Sequence, residues 1–98
     1  MLLAFDVGNT NIVCGVYKEG KLIRHWRVAT DTLQTADGYA ALLGTLFQLS
    51  GLAFKDVEDI IISTVVPPII PILETMSQRY FHTKPIMVGP GIKTGLNI

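Results

Sequence analysis

The sequence predicts an α/β domain on a single mixed sheet, and three observations carry that prediction. Three strand-like segments follow one another at the start, joined by short polar turns. Two later segments carry the helical period. Between those helices lies a β-branched run, DIIISTVV at residues 59–66. Short turns join antiparallel neighbours. An apolar run without alternation suits a strand buried on both faces of a parallel sheet.

Leu2 to Val7 reads as the first strand and Asn11 to Tyr17 as the second. Between them Gly8, Asn9 and Thr10 form a hairpin turn, because Gly and Asn tolerate positive φ. Lys18-Glu19-Gly20-Lys21 is a second polar turn. Leu22 to Ala29 is a third strand, with Leu22, Arg24, Trp26 and Val28 on one face. Residues 35–50 carry Tyr39, Leu42, Leu43, Leu46 and Phe47 at helical spacing. Thr35 is placed as the N-cap, Asp37 suits the positive end of the dipole, and Gly51 is placed to stop the helix. Gly38 and Gly44 each cost about 1 kcal/mol against Ala in a helix, which predicts close packing partners. Asp59 to Val66 is the fourth strand. Pro67 and Pro68 end it and open a second helix, with Ile69, Leu73, Met76 and Tyr80 at helical spacing to about Phe81. Pro85 to Val88 is a short fifth strand, closed by Gly89-Pro90-Gly91.

The resulting order, β-β-β-α-β-α-β, resembles the ribonuclease H-like unit that also builds each half of the actin-like phosphotransferases. Right-handed parallel crossovers are expected in its second part. The 98 residues suffice for one domain, residues 1–98, with a core that buries roughly 65% of the unfolded surface. At 49% apolar residues the chain is rich for its size, so some apolar surface is expected to meet a neighbour. Eight Lys and Arg balance eight Asp and Glu. No nucleic-acid or membrane partner is therefore expected. The opening apolar run is too short for a signal peptide, and the later run 60–73 carries three prolines, so no membrane helix is expected. A single cysteine, Cys14, fits a reducing compartment.

The chemistry concentrates in DVGNTNIV, residues 6–13. A carboxylate at the end of a central strand is held rigidly and can orient Mg²⁺ through water, because Mg²⁺ takes few carboxylates alongside substrate phosphates. Gly8 lets the backbone approach a phosphate closely. Asn9, Thr10 and Asn11 supply amide, hydroxyl and backbone N–H donors. Phosphoryl transfer needs mainly positioning and charge stabilisation, which such a loop supplies in part. Ordinary turn chemistry would explain Asp-x-Gly alone, but a carboxylate after five residues of buried-strand character is costly unless it binds something.

DVGNTNIV, HWRVATD at 25–31, TAD at 35–37, IISTVVPP at 61–68 and GPGIKTG at 89–95 together resemble the type III pantothenate kinases, in the same order and across nearly the whole chain. The resemblance implies a cytoplasmic homodimeric transferase that phosphorylates pantothenate from ATP, the first committed step of coenzyme A synthesis. It implies Mg²⁺ with the ATP and a monovalent cation, K⁺ or NH₄⁺. It places the ATP phosphates on Asp6, Val7, Gly8, Asn9, Thr10, Asn11, Ile12 and Val13, with Asp6 holding Mg²⁺ through water. Family members are longer, and their G-A-D-R motif, which supplies the catalytic base and pantothenate contacts, would follow Ile98. No catalytic base is therefore expected within this chain. The chain is expected to be the first of two domains and inactive on its own. Gly38, where the family carries an acid, and Thr64, where it carries Ser, depart from the pattern without touching the phosphate loop.

Two alternatives stay open on the residues: a ribonuclease H-like nuclease or resolvase, and a non-catalytic nucleotide-binding relative. The first needs converging carboxylates and a basic groove. Asp31 and Asp37 could face a second metal or a substrate, but capping is the expected role. His25 and His82 lack partners at ligand spacing and read as surface residues. Arg24 and Arg27 flank Trp26 on what reads as a solvated strand face with one anchoring ring. Cys14 reads as an inert core thiol. Gly89-Pro90-Gly91 with Lys93-Thr94-Gly95 lacks P-loop spacing and reads as an interdomain or substrate-side loop.

Overall fold

The computed structural model describes residues 1–89. The elements are β1 (Leu2–Val7), β2 (Asn11–Lys18), β3 (Lys21–Ala29), α1 (Ala36–Leu49), a 3-10 turn at Phe54–Asp56, β4 (Asp59–Thr64), a second at Pro67–Ile69, α2 (Ile70–Phe81) and β5 (Ile86–Val88). They form one five-stranded sheet in the order β3-β2-β1-β4-β5. β1–β2 and β2–β3 pair antiparallel, and β1–β4 and β4–β5 pair parallel. This is the expected ribonuclease H-like arrangement. The residues after Gly89, including the Lys93-Thr94-Gly95 stretch, lie outside the described residues.

One face of the sheet carries the core. Leu3, Phe5 and Val7 of β1 alternate inward beside Ile12, Cys14 and Val16 of β2 and Ile60 and Ile62 of β4, all buried. Burying each such large side chain contributes about 1.5–3 kcal/mol. Both helices pack on this face, α1 through Tyr39, Ala40, Leu43 and Phe47, α2 through Leu73, Met76, Ser77 and Phe81. Phe47 sits at the centre of an aromatic cluster, with its ring centroid 5.4 Å from Trp26, 4.9 Å from Phe54 and 6.1 Å from Phe81. The expected anchoring role of Trp26 is thus met.

Several local expectations change. Leu42 and Tyr80 are exposed rather than core residues. Tyr80 spends its hydroxyl on Asp37 instead. The β3 alternation holds from Val28 to Arg24, opposite Ile12, Cys14 and Val16, but a bulge between Val16 and Tyr17 sets Leu22 against Tyr17 and breaks it. β4 ends at Thr64, before the predicted Val66, because the Thr64 hydroxyl accepts the Val66 N–H at 2.8 Å and turns the chain. Nor is β4 buried on both faces: Ile60 and Ile62 face the core, while Ile61 is half-buried on the side without helices. Gly38 faces its own loop, where a Cβ would overlap the flexible Gln34 side chain, and Gly44 has only ordinary contact with Phe54.

The stops of α1 are as predicted. Thr35 caps it by accepting the Gly38 N–H at 2.9 Å. Gly51, at φ 73°, lets the Leu52 N–H reach the Phe47 carbonyl and its own N–H reach Gln48, a Schellman closure.

Candidate functional site

In open α/β sheets, ligands meet the carboxyl ends of parallel strands. Here the ends of β1, β3 and β4 are tied around one turn, residues 8–11. The Gly8 N–H donates to the Asn11 carbonyl at 2.8 Å, and the Thr30 N–H, just past β3, donates to the Thr10 carbonyl at 2.9 Å. The Thr30 hydroxyl donates to the Gly8 carbonyl at 2.7 Å. The Val65 N–H, just past β4, donates to the Val7 carbonyl at 3.2 Å. The turn is therefore fixed from both sides while its tip, Asn9 and Thr10, stays exposed. Neither tip N–H has a partner among the described residues.

The expectation of positive φ in this turn is not met. Among the described residues only Glu19, Gly20, Gly51 and His82 have positive φ. Gly8 is favoured for another reason: a Cβ there would lie 3.3 Å from the Asn11 carbonyl oxygen, tighter than most side-chain contacts, so the turn would have to shift by a few tenths of an ångström.

Asp6 points to the face opposite the core, level with Val13 of β2 and Ser63 of β4. It is half-buried, and its carboxylate makes no hydrogen bond or ion pair with the described residues. Val7 and Ile12 are 1% exposed and belong to the core, so only their backbones can meet a ligand. Asn11 and Val13 are half-buried. The structure thus brings together a carboxylate and two N–H groups that have no partner among the described residues, with an amide and a hydroxyl. In charge and geometry that donor set is suited to a multiply charged anion accompanied by a hard divalent cation. No group of three or more His, Cys, Asp or Glu residues gathers among the described residues. A cation here would rely on one carboxylate, water and the ligand's own oxygens, the habit of Mg²⁺.

Sequence reasoning missed two contributors. Thr30 holds the turn. Ser63, 6% exposed, donates its hydroxyl to the Gly89 carbonyl at 3.1 Å beside Asp6. The available signals were a Thr placed directly after β3 and a polar residue inside an otherwise apolar run.

Of the remaining candidates, Asp31 and Asp37 do not take the expected capping role, which falls to Thr35: Asp31 closes a local turn and Asp37 links two helices. The Asp31 carboxylate accepts the Leu33 N–H, and the Tyr39 hydroxyl both accepts the Asp31 N–H and donates to its carbonyl. Asp37 accepts from Arg79 at 2.8 Å and from the Tyr80 hydroxyl at 2.6 Å, joining α1 to α2. The bond from Tyr80 and then that from Arg79 hold its carboxyl below the usual range. His25 and His82 are exposed. Burial pushes the Cys14 thiol up to about 12. A separate groove of about 920 Å³, lined by residues including Met1, Leu2, Tyr17 and Lys55, lies at the opposite end of β1 and does not reach the turn.

The family model of type III pantothenate kinase matches residues 2–98. Curated relatives bearing that name are 55% identical in Exiguobacterium, 55% in Bacillus cytotoxicus and 53% in Halalkalibacterium halodurans, each across all of this chain. The chain spans only 39%, 37% and 39% of their respective lengths. A crystal structure of a Porphyromonas gingivalis protein assigned as an N-acetylglucosamine kinase superposes with a TM-score of 0.64 over 92% of this chain and 34% of that one. At 20% identity that likeness speaks to the fold alone.

Proposed function

Because the chain belongs to the type III pantothenate kinase family, we propose that it carries the ATP-phosphate-binding part of an enzyme that phosphorylates pantothenate from ATP, opening coenzyme A synthesis. The supporting observation is the clamped turn 8–11 with the Asp6 carboxylate beside it, unpartnered among the described residues. The Asn9 and Thr10 N–H groups and side chains receive the phosphate oxygens. Gly8 keeps the backbone close enough for them to do so. Asp6 would hold a hydrated Mg²⁺, which when bound would supply charge neutralisation to the phosphates. Thr30 and Val65 keep the turn from yielding under that load. In this reading the chain is the first of two domains of a cytoplasmic homodimer, and the catalytic base, the pantothenate contacts and the site for K⁺ or NH₄⁺ belong to the part of the relatives' length that it does not span.

The nuclease alternative is disfavoured by position. Asp56, Glu58 and Asp59 stand at the start of β4, and Asp59 is level with Leu2, whereas Asp6 is level with Ser63 at the other end. The acids therefore do not converge. No helix among the described residues is long and apolar enough to cross a membrane.

The test is ATP-dependent phosphorylation of pantothenate by the full-length protein with Mg²⁺ and K⁺. The Asp6→Asn variant is expected to lose about a hundredfold or more in kcat, the scale of removing one aimed electrostatic group, with unchanged thermal denaturation. Turnover near that of the unaltered protein would refute the role of Asp6. The 98-residue chain alone is expected to show no turnover.

A further inference from the structure

We propose that Ser63 is a positioning residue of the phosphate site, setting where the exit of β5 stands relative to Asp6. This rests on the nucleotide-binding reading of that site. Ser63 and Ser77 are the two serines buried among the described residues. Ser77 bonds to the Leu73 carbonyl one helical turn back, a local contact within α2. Ser63 does something different. Its hydroxyl reaches across the sheet to the Gly89 carbonyl, the first residue past β5, at 3.1 Å.

The register gives that bond its significance. Val13, Asp6, Ser63 and Val88 form one row across four strands, all on the face without helices. Asp6 therefore has Ser63 as its immediate neighbour. A serine here has two choices: donate to the carboxylate or donate elsewhere. Donation to Asp6 would occupy the oxygens that a hydrated cation needs. Donation to Gly89 leaves them free and also fixes the end of a strand of only three residues, Ile86–Val88, which has little pairing of its own. Ser63 thus keeps Asp6 available and holds the β5 exit beside it.

The experiment measures Mg²⁺-dependent binding of ATP by titration calorimetry on the full-length protein. Ser63→Ala removes the bond. Ser63→Cys nearly preserves volume but offers a much weaker donor, and stands in if the alanine variant does not fold. Ser63→Thr keeps the hydroxyl and suits a strand. A neutral hydrogen bond is worth a few-fold to about tenfold in an equilibrium. The expected result is about a fivefold weakening of Mg-ATP binding in the Ala and Cys variants and recovery in Thr. ATP binding without Mg²⁺ should change less, since the phosphate donors on Asn9 and Thr10 are untouched. Unchanged Mg-ATP affinity in Ser63→Ala or Ser63→Cys, with Asp6→Asn still impaired, would overturn the role of Ser63 alone. Equal losses with and without Mg²⁺, or no recovery in Ser63→Thr, would also overturn it. Mg-ATP binding unaffected by Asp6→Asn would overturn the underlying reading and this inference with it.

Discussion

Replacing Thr30 by Val tests how the turn is held. Val is close in volume and equally β-branched, so little but the hydroxyl changes. The lost contact is the 2.7 Å bond to the Gly8 carbonyl. A typical neutral bond contributes about 0.5–1.5 kcal/mol net. Thr30 and Gly8 are both half-buried, so water can reach part of the vacated carbonyl, and the full penalty of a buried orphan does not apply. The expected destabilisation is about 1 kcal/mol, or roughly 4–8 °C in Tm for a domain of this size. The Thr30 N–H bond to Thr10 survives, so the turn should loosen rather than open. Urea denaturation gives the stability and Mg-ATP titration gives the affinity; both should fall in Thr30→Val and both should recover in Thr30→Ser. A Val variant as stable as the parent, within about 0.3 kcal/mol, would refute the claim that this hydroxyl secures the turn.

Asp37 supplies a pH-dependent link between α1 and α2. Its folded pKa is depressed, by Tyr80 first and Arg79 second. The link is therefore present above the ordinary carboxylate value of 3.8 and fades as pH falls through the lower folded value. Asp37→Asn should flatten the acid limb of a Tm-against-pH curve, and an unchanged limb would contradict the linkage. Cys14, with its thiol pushed up to about 12, should resist iodoacetamide at neutral pH in the native state and react once urea unfolds the chain; rapid native labelling would contradict its burial.

The fold was legible because its signals are local. Short polar turns between apolar runs, a Thr cap and a Gly stop located β1, β2, β3 and α1 to within a residue or two. The departures come from context that one stretch of sequence does not carry. The end of β4 moved because Thr64 found a backbone partner two residues on. Leu42 has a core-like spacing yet faces outward, because the width of the buried stripe depends on where α2 lies. The site divides the same way. Asp6 to Val13 is one contiguous string, and it drew attention by its oddity. Thr30 and Ser63 join it only through pairing between strands distant in sequence, and the local signal at each, a Thr after a strand and a Ser in an apolar run, does not say which turn or carboxylate it will meet. The positive φ expected of Gly8 was a generalisation from turn statistics; the actual constraint is a carbonyl 3.3 Å from where its Cβ would be.

The row containing Asp6 also bears on the order of folding. Its hairpin neighbour, Val13, arrives with the next strand, but Ser63 arrives only once the chain has run through β3 and α1 and returned as β4. Hairpins close in about microseconds, whereas such remote pairing waits on the loss of chain entropy. A refolding chain should thus acquire its turn early and its grip on nucleotide late. Recovery of binding would then time the docking of β4 rather than the collapse of the core.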